Sequence, residues 1–331
     1  MNDDEWEGRV RVCPYCFSHE IDEVALIGGP MAQLDNDDGT FKCHKCGRVA
    51  VPMEFASWEE YIAFVWDRDD KTDDNFRTIP MMPLVWDDRK GEAFVSDISW
   101  NGRLVPGSMR TPFKEYWRTA SKEVYRTIRT FIVDVEGTLT GSARVTELQK
   151  VLRKKADVSL DIGIRNEQDV YDCFTMGAWE VIACTWAVPS IDIFEDIIEM
   201  TDRCVPCLCH ERTVVWSKKN GNPEKLEDAV RALKDMGYDT IAVMDLWGLG
   251  KGGFHGEDLI MRAKGLGVKI IAGGGVDLAQ VESIKELGAD GAILDPFTPE
   301  LVAAFDREAQ SDALTSSEPP SNIVNNRSDG S

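Results

Sequence analysis

The chain has 331 residues, too many for one small domain and enough for a large unit with additions. A net charge of -21 and a pI near 4.6 oppose nucleic-acid binding, because a phosphate backbone would be repelled. No apolar run approaches the roughly 20 residues of a membrane span, and the acidic start MNDDEWEG lacks the apolar stretch of a secretory signal. Nine cysteines without such a signal imply the reducing cytoplasm, where thiols bind metal or stay reduced.

Residues 1–56 carry Cys13-Pro-Tyr-Cys16 and Cys43-His-Lys-Cys46-Gly among short β-like runs. Each C-x-x-C turn aims two thiolates at one centre, and two turns complete a tetrahedral four-sulfur shell. A closed shell leaves no position for substrate, so the expected ion is a structural Zn2+ in a small β ribbon. A rubredoxin-like iron centre is the rival, since the same shell suits both metals. His19 and His44 are bystanders on this reading. The segment holds about twice as many acidic as basic residues. Protein contact or self-association therefore fits it better than nucleic acid.

Residues 57–77 read as an amphipathic helix, SWEEYIAFVW, followed by the acidic linker DRDDKTDDN. Residues 78–310 then alternate short apolar runs with helical patterns. The runs lie at 81–86, 131–135, 158–162, 180–184, 205–209, 240–246, 268–273 and 291–295. They lack strict alternation and are rich in Val, Ile and Leu, as strands buried on both faces are. Eight such strands with helices between them predict an α/β fold, a (β/α)8 barrel, in preference to a doubly wound open sheet. Residues 311–331 are polar and rich in Ser, Asn and Pro, and are expected to be a disordered tail.

An internal repeat supports the barrel. FIVDVEG at 131–137 answers AVMDLWG at 242–248, and NEQDVYDCFTMGAWEVI answers DLAQVESIKELGADGAI, both at an offset of about 111 residues. Two similar half-barrels would place Asp134 and Asp245 at equivalent strand ends on opposite sides of the mouth.

Barrel chemistry sits where strands end. The candidates there are Asp87 after strand 1, Asp134 and Glu136 after strand 2, and Asp161 and Arg165 after strand 3. They continue with Cys184 and Thr185, then Cys209, His210 and Glu211, then Asp245 and the run Gly248–Gly253. Gly273, Gly274 and Gly275 close strand 7, and Asp295 closes strand 8. A bare glycine backbone lets amides approach a phosphate closely, and the following helix N-terminus favours the anion. Lys251 either neutralises such a phosphate or is solvated, and His255 reads as a surface histidine.

These residues carry a resemblance to the HisA/HisF family, phosphoribosylformimino-5-aminoimidazole carboxamide ribotide isomerase and its cyclase relative. It covers roughly residues 79–305 and rests on Asp87-x-x-x-Gly91, VDVEG at 133–137, GIRNEQDV at 163–170, MDL at 244–246 and AGGGV at 272–276. It looks closest to the related branch of archaea and methylotrophs. The resemblance implies an Amadori-type isomerisation of a phosphorylated ribotide or similar sugar phosphate by acid-base chemistry, with Asp87 matching the strand-1 aspartate. Where the second aspartate belongs, this chain has Cys209, His210 and Glu211; Asp245 is the other candidate partner. The phosphate sites depart as well. Strand 3 keeps only Gly163, strand 4 reads Ala183-Cys184-Thr185, and strand 8 reads Leu294-Asp295-Pro296. The mouth thus looks equipped for one phosphate at Gly273–Gly275, with a weaker second site at Gly163 and Thr185. Two other readings stand beside the isomerase. One is a paralogue in cofactor or one-carbon metabolism with a singly phosphorylated substrate. The other is a non-catalytic adaptor or scaffold.

Cys204-x-x-Cys207-x-Cys209-His210 has the composition of a soft-metal set. On one strand, however, Cys207 and Cys209 share a face while Cys204 and His210 take the other. Small buried cysteines filling the barrel interior are the better reading.

Overall fold

The computed structural model describes residues 10–14, 21–23, 41–44, 48–56, 76–87, 89, 91–125, 129–152, 158–218 and 224–316. At the N-terminal end, β1 (Val10–Val12) pairs with β5 (Met53–Phe55), and β2 (Ile21–Glu23), β3 (Phe41–Cys43) and β4 (Val49–Ala50) form a second antiparallel sheet. The expected helix and linker between residues 57 and 75 lie outside the described residues.

The rest is a closed parallel barrel. Its strands are β6 (Arg77–Asp87), β9 (Thr130–Asp134), β10 (Val158–Asp161), β11 (Glu180–Cys184), β12 (Cys204–His210), β13 (Thr240–Asp245), β14 (Lys269–Gly273) and β15 (Gly291–Leu294). The pairing of β15 with β6, Ile293 opposite Ile79, closes the ring and removes the open-sheet alternative. Helices α1 (Phe113–Arg118), α2 (Val135–Thr140), α3 (Val145–Leu152), α4 (Glu167–Thr175), α5 (Ile193–Met200), α6 (Leu226–Met236), α7 (Glu257–Lys264), α8 (Val281–Glu286) and α9 (Pro299–Ser316) supply the crossovers and the C-terminal helix. α9 runs to Ser316, past the expected tail boundary at Ser311, and buries Leu301 and Ala304 in its first turns. None of the described helices is long and apolar enough to cross a membrane.

Strand alternation divides the core in two. Ile79, Met81, Phe131, Val133, Ile182, Ala242, Met244, Ile271 and Ile293 point into the barrel. Ile132, Leu160, Val181, Leu208, Val243, Ile270 and Ala292 point out against the helices. Burial on both faces explains the unbroken apolar runs of the sequence. The half-barrel repeat appears in the geometry: Asp134 ends β9 and Asp245 ends β13, four strands apart in the ring.

The sequence reading missed one feature. β6 outlasts the barrel and continues into an antiparallel hairpin with β7 (Glu92–Trp100), which pairs in turn with β8 (Leu104–Pro112).

Candidate active site at the barrel mouth

The hairpin relocates Asp87. Parallel pairing of β6 ends where Leu84 faces Asp134, and Leu84–Asp87 then pair with β7, Asp87 opposite Glu92. Asp87 therefore stands three residues, about 10 Å, beyond the rim. Its Oδ1 accepts the Arg89 amide at 3.0 Å and its carbonyl accepts the Gly91 amide at 2.8 Å, so it shapes the hairpin turn. The rim of strand 1 carries Pro83 instead, which follows the inward alternation of Ile79 and Met81. Asp87 ends β6 as expected, but the barrel pairing stops at Leu84 and the last residues of the strand serve the hairpin.

The strand-5 candidates separate. Cys209 belongs to the interior cluster. His210 takes the opposite face and is buried; burial and the nearby Arg262 guanidinium hold its pKa below the ordinary value. Glu211 is exposed, with its carbonyl accepting the Trp247 indole N–H at 2.7 Å. His210 thus does not share the inward face of Cys209. Asp245 sits beside His210 in register and alternates with the inward Met244. Its Oδ1 accepts the Trp247 amide at 3.0 Å, and its buried Oδ2 has no hydrogen-bond partner among the described residues.

The glycine turns are occupied by the protein's own acids. Asp295 Oδ1 accepts the Gly275 amide at 2.9 Å, and Oδ2 accepts the Gly250 amide at 2.7 Å. Burial pushes the Asp295 carboxyl up to about 7, against the lowering effect of those two amides. Gly274 has φ +94, and a Cβ there would meet the Asp245 carbonyl oxygen at 2.0 Å, so the turn packs directly on the end of β13; a Cβ at Gly275 would meet the Gly253 carbonyl oxygen of the neighbouring loop at 2.7 Å. The loop after β15 is anchored by aromatic contacts: Phe297, at φ 58, packs edge-on to Tyr116 at 5.3 Å. Lys251 Nζ lies over the Trp247 ring at 5.4 Å.

The same device recurs across the barrel. Asp161 Oδ1 accepts the Gly163 amide at 2.7 Å, and Arg165 bonds the Gly163 and Thr138 carbonyls behind it. Thr185 Oγ1 accepts the Cys209 amide at 2.9 Å. Gly163, Thr185 and Gly275, all expected to face a phosphate, are therefore engaged internally.

The polar groups turned into the lumen near the mouth come from β10, β11 and β12. Asp161 follows the inward face of Ser159, and Trp186 donates its indole N–H to Asp161 Oδ2 at 3.2 Å. Burial pushes the Asp161 carboxyl up to about 6, although hydrogen bonds from the Gly163 amide and the Cys184 thiol favour its charged form. The sulfurs of Cys184, Cys207 and Cys209 lie within 4.8 Å of one another, all fully buried. Burial alone would raise the Cys209 thiol, but hydrogen bonds from Cys184 and Cys207 outweigh it and hold Cys209 well below the usual value. Sequence periodicity paired Cys207 with Cys209; the third thiol arrives from the adjacent strand, where Cys184 faces Cys207.

The mouth is covered from above. Ile98 and Leu104 of the hairpin, with Trp100, join Trp186, Leu246 and Leu249 in the interior cluster. Gly250 carries φ +72, and a Cβ there would fall 1.7 Å from the Ile98 carbonyl oxygen, so hairpin and loop touch backbone to backbone.

At the other end of the barrel, Arg48 lies over Trp179 at 4.1 Å, just before β11 begins. Cys13 and Cys43 are buried and line one cleft. Cys16 and Cys46 lie outside the described residues. His44 Nε2 is 2.6 Å from Asp22 Oδ2.

The family model described as histidine biosynthesis protein matches residues 122–296, more than half of the chain. No curated protein matches the chain.

Proposed function

Because this chain belongs to the histidine biosynthesis protein family, we propose that it is an enzyme working at the C-terminal mouth of its barrel on a small molecule other than a doubly phosphorylated ribotide. The reaction class is proton transfer of the isomerase or lyase type. One observation carries the choice of substrate: the Asp295 carboxylate already bonds the Gly275 amide, and a second anion there would meet its charge. Asp161 supports the same reading on the opposite side, where it bonds the Gly163 amide. The substrate is therefore a small polar metabolite with at most one phosphate, as a paralogue in cofactor or one-carbon metabolism would use. Asp161, on the inward side of β10 beside the Trp186 indole, is the residue we assign to proton transfer. Asp87, in its hairpin turn, is not assigned a role in the chemistry.

The test is turnover of a panel of sugar phosphates and pterin- or one-carbon-type metabolites by the full chain. Activity toward one of them, lost in Asp161→Asn with the fold intact by circular dichroism, supports the proposal. Activity unaffected by that substitution removes Asp161 from it.

A second reading, a non-catalytic scaffold, is favoured by the apolar filling of the mouth by Ile98, Trp100 and Leu104. Thermal stability unmoved by every compound of the same panel would favour it. For the N-terminal unit we propose a structural Zn2+ held by Cys13, Cys16, Cys43 and Cys46, with a protein partner or a second copy of the chain as its contact. Arg48 of that unit packs on Trp179, which precedes β11 at the end of the barrel opposite the mouth.

A further inference from the structure

Three thiols converge inside the barrel from two neighbouring strands. Cys184 ends β11, Cys207 stands directly across from it on β12, and Cys209 follows on the same inward face. Cys204, on the outer face of β12, belongs to the other cluster and does not join them. Their sulfurs lie within 4.8 Å of one another. A tetrahedral thiolate shell with bonds of about 2.3 Å places its sulfurs about 3.8 Å apart. Small χ1 rotations would bring the three thiols to that spacing without moving the strands. The setting is also fixed: the Cys209 amide is bonded to Thr185 Oγ1 at 2.9 Å, and both strands are fully paired in the ring.

We propose that Cys184, Cys207 and Cys209 bind one thiophilic cation, Zn2+ or Cu+, in a three-thiolate shell at the mouth end of the barrel. Soft sulfur ligands select these ions over Mg2+ or Ca2+. Binding replaces the thiol protons, which pass to solvent, and changes no oxidation state. With Zn2+ the three sulfurs leave a fourth coordination position. The site is independent of the four-cysteine set of the N-terminal unit and does not depend on the reaction proposed above.

The experiment is metal analysis of the full chain, purified from zinc-supplemented growth, alongside titration of the metal-free chain with Zn2+ and with a stabilised Cu+ complex. The expected result is one equivalent beyond the ion lost in Cys13→Ser. That equivalent disappears in Cys184→Ala and in Cys209→Ala but survives in Cys204→Ala, which removes a buried cysteine outside the group. The titration that restores it identifies the ion. Thermal melts check that each variant is folded, and Cys209→Ser provides a second, isosteric version. The proposal is overturned if folded Cys184→Ala and Cys209→Ser hold as much of both metals as the wild-type chain.

Discussion

The Asp295 carboxylate meets the Gly275 amide at 2.9 Å, in a turn whose glycines resemble those of a phosphate site. An internal anion thus takes the hydrogen bonds that an external one would use. The Gly250 amide on its other oxygen ties the strand-7 turn to the strand-6 loop through one side chain.

Removing that carboxylate should expose the amides. Asp295→Ala is expected to lose roughly 1–3 kcal/mol of stability, the cost of leaving buried polar groups unpaired. Inorganic phosphate or sulfate should then raise its melting temperature and leave that of the wild type unchanged. A scan of melting temperature against anion concentration for both chains checks this.

Asp295 also sets a pH dependence. Its carboxyl titrates near 7 when folded, against an ordinary value of 3.8. Between those values the folded chain holds a proton that the unfolded chain has released. Its stabilising contribution is therefore complete below about pH 4 and lost as pH rises through about 7. Urea unfolding at pH 5 and pH 8 should show a larger fall for the wild type than for Asp295→Asn, which cannot ionise.

Gly250→Ala should displace the hairpin. The residue needs a left-handed backbone, and the added Cβ would strike the Ile98 carbonyl. Strain of this kind costs about 1–3 kcal/mol. Faster hydrogen exchange in β7 and β8, with unchanged protection in β12 and β13, is the expected signature.

Chelation should unfold the N-terminal unit. Its apolar core among the described residues is Val10, Val12 and Phe55, with Met53 packed against them, too little to hold a fold without an added link. Strong chelators are expected to abolish exchange protection in β1–β5 while the barrel strands away from the Cys184, Cys207 and Cys209 thiols keep theirs. Arg48→Ala, which removes a cation–π contact of about 0.5–2 kcal/mol, should weaken protection there more mildly.

The eight barrel strands were legible because burial on both faces leaves a continuous apolar run, as in Thr240–Asp245. The hairpin was not, since β8 reads Leu-Val-Pro-Gly-Ser-Met-Arg-Thr-Pro, with polar and turn-forming residues, and its burial comes from the mouth it covers. That omission is also why Asp87 was placed at the rim: nothing local in β6 marks where barrel pairing gives way to hairpin pairing. The shared face of Cys207 and Cys209 followed from the strand period. The approach of Cys184 did not, because register between strands is a tertiary property. Asp295 could be identified as hostile to an anion, but its bonds to Gly250 and Gly275 required the closed ring.

The central claim is that this mouth serves a substrate other than the doubly phosphorylated ribotide of histidine synthesis. Incubating the full wild-type chain with that ribotide and following product by chromatography tests it most directly. The account expects no isomerised product and no protection of the chain against unfolding. Enzyme-dependent conversion of the ribotide would contradict it.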